Sequence, residues 1–301
     1  MQISARGLFM QTGYLWNIGL GVLWGSVGVV VALARKQQCP IWSFYTLGAL
    51  LAALFSLPFC PLTANGITLL GILILAAGAL CAALGQAMTM YNLRGQARAV
   101  LFSIQQMNFV FTYILSLLFL NEKITFCSGL GIILLFGAIT GTGMLGSTAA
   151  DRSLPDLRRL LIGVAASALC GCGQFAFLAA GNNYLSEVHP GVKGLLTLIF
   201  CAFSYALDVS VERKELQKNW RQVLRYGILW GILAGLSYRV LFETIDRMNE
   251  IGRSGLVYPI GCSVCILTFY LYSAIRLRDK ISWRQMLMIA GIITGVVLLR
   301  F

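Results

Sequence analysis

Long apolar runs separated by short polar corners organise this chain. The clearest stretch runs from Gly95 to Gly143. There Ala99–Leu120 carries no charge, the corner Asn121-Glu122-Lys123 follows, and a second apolar run closes on Gly137-Ala-Ile-Thr-Gly141. At a rise of 1.5 Å per residue, about 20 apolar residues cross the roughly 30 Å hydrocarbon core of a bilayer. The stretch therefore predicts two membrane helices joined at a polar bend. The same punctuation returns near the end of the chain. Leu256–Ile275 is followed by the corner Arg278-Asp279-Lys280 and a last apolar run, Ile281–Leu299, that contains Gly291-Ile-Ile-Thr-Gly295. A shared corner, shared helix lengths and a shared closing motif argue for internal duplication.

Read this way, the whole chain divides into ten apolar spans: 13–34, 40–60, 66–92, 98–120, 124–145, 159–182, 191–211, 223–247, 254–275 and 282–300. The one segment with linker character is Gly146 to Arg159, rich in small and charged residues and broken by Pro155. The expected organisation is a first five-helix repeat over 1–145, a cytoplasmic linker over 146–158 and a second five-helix repeat over 159–301. Five crossings before the repeat force the second copy to enter from the opposite side. The expected fold is thus an all-α integral membrane protein with ten helices in a 5+5 inverted-topology repeat.

Further pairs fit that alignment. Leu23-Trp24-Gly25-Ser26 in span 1 sits where Leu169-Cys170-Gly171-Cys172 sits in span 6, and Gly78 before Arg94 matches Gly231 before Arg247, a register that sets Gln86 opposite Arg239. Glycines four apart, at Gly21/Gly25, Gly137/Gly141, Gly227/Gly231/Gly235 and Gly291/Gly295, predict close helix packing within the chain.

Composition supports the membrane reading. The chain is 58% hydrophobic and only 11% charged, against about 25% charged for a soluble domain. The net charge of +12 falls in short loops and makes no basic stripe for nucleic acid. Instead it sets topology: sixteen Lys and Arg lie after odd-numbered spans, six lie on the other side, and Arg239 lies inside span 8. Since the cytoplasmic side carries the excess, both termini are expected on the outer side of the cell (inner) membrane. The nine cysteines lie mostly inside apolar spans and read as buried thiols, not as a metal site. One histidine, His189, excludes a His-Glu-x-x-His centre, and there is no Gly-rich phosphate loop, so neither an enzyme nor a cofactor is expected.

Ten short helices in two halves, the Trp24-Gly25-Ser26 element and an acidic-basic corner before the last helix of each half resemble the drug/metabolite transporter superfamily, in its ten-helix EamA-like branch. In that family the segment before the fifth helix often reads Gly-Glu-(Arg/Lys), matched here by Asn121-Glu122-Lys123 and more loosely by Arg278-Asp279-Lys280. Many members are thought to keep both termini in the cytoplasm, and there this chain departs from the pattern. Arg35-Lys36 followed by Trp42, and the Leu57-Pro58 ending of span 2, look similar to the rhamnose/glucose-ribose sugar uptake side of the superfamily. The resemblance implies a secondary transporter working by alternating access on a small-molecule substrate, with sugar uptake by proton symport preferred. Export or exchange of amino acids or other anionic metabolites, and a non-transporting receptor or scaffold, are the alternatives. It also implies a site near the midplane where spans 1, 3 and 4 face 6, 8 and 9.

Polar residues inside those spans are the candidates. Arg239 shares a stripe with Gly235, Glu243 and Asp246 and reads either as a substrate anchor tuned by Glu243 or as half of a structural Arg-Glu pair. Glu243 is the candidate for proton coupling. Gln105 and Asn108 share a face of span 4 while Gln106 points about 100° away. Gln86, Gln174 and Tyr238 are candidates of the same kind, Trp24 and Tyr258 could stack on a ligand face, and Pro259 predicts a kink in span 9. Asp208 and Glu212 read as a solvated helix end, and His189 as a solvated loop residue.

Overall fold

In the computed structural model, residues 5–61, 65–92, 104, 107–120, 125–144, 157–207, 209–272, 275–276, 282–299 and 301 are described. These residues are helical or in turns, with no strand among them. The helices are α1 (Ala5–Lys36), α2 (Ile41–Ser56), α3 (Leu69–Asn92), α4 (Asn108–Phe119), α5 (Phe126–Met144), α6 (Leu157–Ala179), α7 (Pro190–Ala206), α8 (Arg213–Glu250), α9 (Val257–Tyr272) and α10 (Trp283–Leu298). Among the described residues, six helical stretches are long and apolar enough to cross a bilayer: Thr12–Ala34, Ile41–Phe59, Leu69–Thr89, Leu157–Tyr184, Arg213–Glu250 and Ser254–Tyr272. Asn108–Phe119, Phe126–Gly141, Pro190–Ala206 and Trp283–Leu298 are apolar but shorter. Both polar corners, Asn121-Glu122-Lys123 and Arg278-Asp279-Lys280, and most of the linker lie outside the described residues.

Local chemistry fixes the ends of several helices. Pro190 opens α7 where a missing N–H costs nothing, and the His189 Nδ1 accepts from the Gly191 amide at 3.1 Å. Ser282 and Gln285 form a reciprocal capping box on α10. α2 is capped from afar: the Glu212 carboxylate accepts from the Ile41 and Ser43 amides, each at 2.9 Å. Glu212 is therefore a helix cap joining the two halves of the chain, where a solvated residue was expected. Pro259 also departs from expectation. It is the third residue of α9, after the 3-10 turn Ser254–Leu256, so it falls among the amides that have no intrahelical acceptor and breaks no ladder. α8 begins ten residues before its expected start, because the charged segment from Arg213 is helical, with a kink at Asn219.

Several helix contacts recur when each helix is exchanged with the one five later, although α7 packs closely on α8 while α2 does not pack on α3. α1 lies on α8 and α9; α6 lies on α3 and α4. α2 packs on α8 as α7 packs on α3, while α2 with α7 and α5 with α10 are each their own counterpart. We call the end carrying the α2–α3, α6–α7 and α8–α9 connections the upper end. Two apolar cores result. The upper core gathers residues from α1 and α3–α10, among them Leu20, Phe109, Leu178, Phe242 and Tyr258. The lower core draws on α1, α2, α3, α7 and α8, among them Ala49, Ala83, Tyr205 and Trp230.

Candidate functional site

α1 presents one face to α9, and small residues let the two helices touch. A side chain at Gly21 would meet the Val264 Cβ at 2.5 Å and the Gly261 carbonyl at 2.8 Å; one at Gly25 would meet the Thr268 Cβ at 2.6 Å and the Cys265 carbonyl at 3.0 Å. Along this face burial falls from top to bottom. Asn17 and Leu20 are fully buried, Trp24, Val27 and Val31 are half-buried, and a Cβ at Gly28 would meet open space. α9 changes in the same direction, with Val257–Ser263 wholly buried and Val264–Thr268 half-buried.

At this transition Trp24 stacks on Tyr258, ring centroids 5.6 Å apart and planes 20° apart. Gly261 makes the space: a Cβ there would lie 2.8 Å from the Trp24 ring and 3.3 Å from the Asn17 Oδ1. The Asn17 Nδ2 donates to the Leu256 carbonyl at 3.4 Å, while its Oδ1 and the Tyr258 hydroxyl are buried without a hydrogen-bond partner among the described residues. Such groups cost free energy unless something pairs with them.

The counterpart seam, α4 on α6, has the same construction. A Cβ at Gly171 would meet the Asn108 carbonyl at 2.6 Å and the Phe111 Cβ at 2.6 Å. Gly25 and Gly171 thus each face a carbonyl and a side chain three residues further along the opposing helix. Thr112 lies within 2.8 Å of the Gln174 Oε1 and 3.1 Å of the Gly171 carbonyl, its single proton serving one at a time. The Asn108 Oδ1 is buried without a partner among the described residues. Between the seams, Tyr238 meets Phe177 edge to face at 6.4 Å, places its hydroxyl 3.7 Å from the Cys201 Sγ, and packs against both cores.

Of the residues singled out from sequence, the structure brings Trp24 to Tyr258, and Gln174 to Asn108 through Thr112 and Gly171. Gln86 is half-buried on α3. Gln105 and Gln106 lie outside the described residues. Arg239 stands apart: it is exposed, continues the exposed apolar stripe of Leu229, Ile232 and Leu236, and lays its guanidinium 5.2 Å over the Phe59 ring. Glu243 pairs with Arg247 at 2.6 Å, not with Arg239. The matched register of Gly78 and Gly231 does not give matched surroundings, since Gly78 faces α6 and Gly231 faces α2.

Two features were missed. Asn17, a polar residue inside an apolar span, carried the needed signal. Lys193 did not: counted as a loop charge, it is fully buried in the first turn of α7, its Nζ 2.7 and 2.9 Å from the two carboxylate oxygens of Asp246.

Residues 11–144 match the EamA-like transporter family. The likeness spans a little under half of the chain. The match is to the family as a whole and singles out no sugar-uptake branch. No curated protein matches the sequence. One solved structure, titled only "Crystal structure of protein", is similar at 13% identity with a TM-score of 0.69, covering 95% of this chain and 97% of its own. At that identity it speaks to fold alone, and the likeness in fold runs through both halves of the chain. The helical stretches long and apolar enough to cross a bilayer are in keeping with this likeness to a transporter family.

Proposed function

We propose that the protein is a secondary transporter of a small, uncharged polar metabolite, built as a 5+5 inverted repeat whose halves meet along the α1/α9 and α4/α6 seams. The carrying observation is the equivalence of those seams, Gly25 on Cys265 and Thr268 against Gly171 on Asn108 and Phe111. The contacts that recur on exchange, α1 on α8 and α9 against α6 on α3 and α4, support the same reading. The substrate site is the region around Trp24, Tyr258, Asn17 and Tyr238, with Asn108 and Gln174 on the second seam. A flat aromatic pair beside unpartnered hydrogen-bonding groups suits a ligand with an apolar face and several hydroxyls, so sugar uptake is the preferred substrate reading. Anion exchange is the weaker one, because Arg239 lies on the outer stripe and Lys193 and Arg247 are ion-paired. Proton coupling, where present, runs through the upper carboxylate Glu243, held by Arg247.

Flux into proteoliposomes loaded with a panel of sugars, amino acids and nucleobases, with and without a pH gradient, tests this. One sugar should show saturable counterflow that Trp24→Ala reduces at least tenfold and Tyr258→Phe reduces less. Counterflow of no solute, or flux untouched by Trp24→Ala in folded protein, would sink the reading in favour of a scaffold or another site.

A further inference from the structure

The first third of α8 holds a feature that transport does not use. Lys214, Lys218, Arg221 and Arg225 follow one another at four, three and four residues, which puts them on one side of a helix. All four are exposed, and none has an acidic partner among the described residues. Of the two nearby carboxylates, Glu212 is committed to the α2 cap, and Glu215, exposed in the first turn of α8, forms no ion pair among the described residues. The helix is kinked inside this stretch at Asn219, where φ is −112° and ψ is 16°, and the next residue, Trp220, is 50% exposed. Leu216 packs against the lower core and holds the segment to the bundle.

The direction of the basic stripe decides its partner. Continued along α8 it runs into Leu229, Ile232 and Leu236, which are 45%, 49% and 49% exposed, the side that meets hydrocarbon. Four cations leading straight into a lipid-facing apolar stripe, with a Trp at the junction, occupy the headgroup layer. We infer that residues 213–225 form a binding site for anionic phospholipid headgroups. Arg221 and Arg225 lie within about 12 Å of Leu229 along the helix, close enough for long side chains to reach phosphates from either side of the boundary. Each cation retained near an anionic surface is expected to favour binding about fivefold.

Full-length protein reconstituted in phosphatidylcholine vesicles that contain equal fractions of either brominated phosphatidylglycerol or brominated phosphatidylcholine tests this through Trp220 fluorescence, isolated by subtracting the Trp220→Phe signal. The anionic brominated lipid should quench Trp220 more strongly, and the excess should shrink with added salt. The triple variant Lys214→Gln, Lys218→Gln, Arg221→Gln, with unchanged melting in phosphatidylcholine as its folding control, should lose the excess. Equal quenching by the two lipids in the unaltered protein, or an excess that survives the triple substitution, overturns the assignment.

Discussion

Removing the Asp246 carboxylate should destabilise the protein far more than removing its partner. Lys193 is fully buried and both carboxylate oxygens of Asp246 lie within 2.9 Å of its Nζ. At about 3 Å and an effective dielectric near 20, the attraction is roughly 5 kcal/mol. Most of that offsets the cost of taking the ammonium out of water, so the pair's net worth is small while the cost of orphaning one member is large, about 3–5 kcal/mol. The two members are not equivalent. Asp246 is 27% exposed and can recruit water, so Lys193→Met should cost only about 1–2 kcal/mol. Asp246→Asn should cost at least about 3 kcal/mol, because the ammonium has no access to water. Combining Lys193→Met with Asp246→Leu removes both charges and should restore stability to within about 1.5 kcal/mol. Denaturation in mixed micelles titrated with dodecyl sulfate, followed by circular dichroism, measures all three. An Asp246→Asn variant no less stable than Lys193→Met would refute the reasoning, since it would mean that the buried ammonium is solvated after all.

Other substitutions test other parts of the fold. Gly25→Leu should separate α1 from α9, since even a Cβ would press on the Cys265 carbonyl at 3.0 Å; a cost of about 1–3 kcal/mol is expected by thermal unfolding, and Gly137→Leu, where a Cβ meets open space, should cost under about 1 kcal/mol. Glu212→Ala should weaken the α2 start by about 1–2 kcal/mol, and hydrogen exchange should rise at the Ile41 and Ser43 amides while α10, capped by its own Ser282, is unaffected. Arg239→Leu should leave flux within about twofold of the original and fold normally, because its side chain lies over Phe59 on the outer stripe; a hundredfold loss in liposome flux would put it back in the site.

Much of the helical architecture was legible because long apolar runs mark helices able to cross a bilayer, and six of the runs read from sequence are such helices among the described residues. The helix faces were less legible. Arg239 looked central because it is the basic residue deepest within an apolar run, but depth along a helix says nothing of direction around it. Direction could have been read from the surrounding spacing: Leu229, Ile232 and Leu236 precede Arg239 at intervals of three or four, the mark of one continuous lipid-facing side. Lys193 fails in the opposite sense. It stands three residues past Pro190 at the start of an apolar run, where a charge normally reaches water, and nothing local shows that Asp246, fifty-three positions away, closes over it. Glu212 likewise gained its role from a helix end in the other half of the chain. Such long-range pairings carry no sequence period.

The proposed inverted repeat gives these exceptions a mechanical meaning. Exchanging the conformations of two equivalent halves regenerates the same set of helix contacts while reversing which end is sealed, so the common packing contributes little to the difference between the two states. That difference is set by interactions with no counterpart in the other half. Two contacts at the buried upper end bear on it: Asn182 donates to Ser254 at 2.7 Å, beside the π-turn Ala180–Tyr184, and Trp24 stacks on Tyr258. Ser254→Ala removes the first without touching the aromatic pair. One hydrogen bond is worth about 1 kcal/mol, which is close to a fivefold shift between states. Cysteines placed at upper positions of α9, within the wholly buried run Val257–Ser263, should then react several-fold faster with a membrane-impermeant thiol reagent in the Ser254→Ala background. An unchanged labelling rate would mean that the upper end is held shut by the apolar core alone.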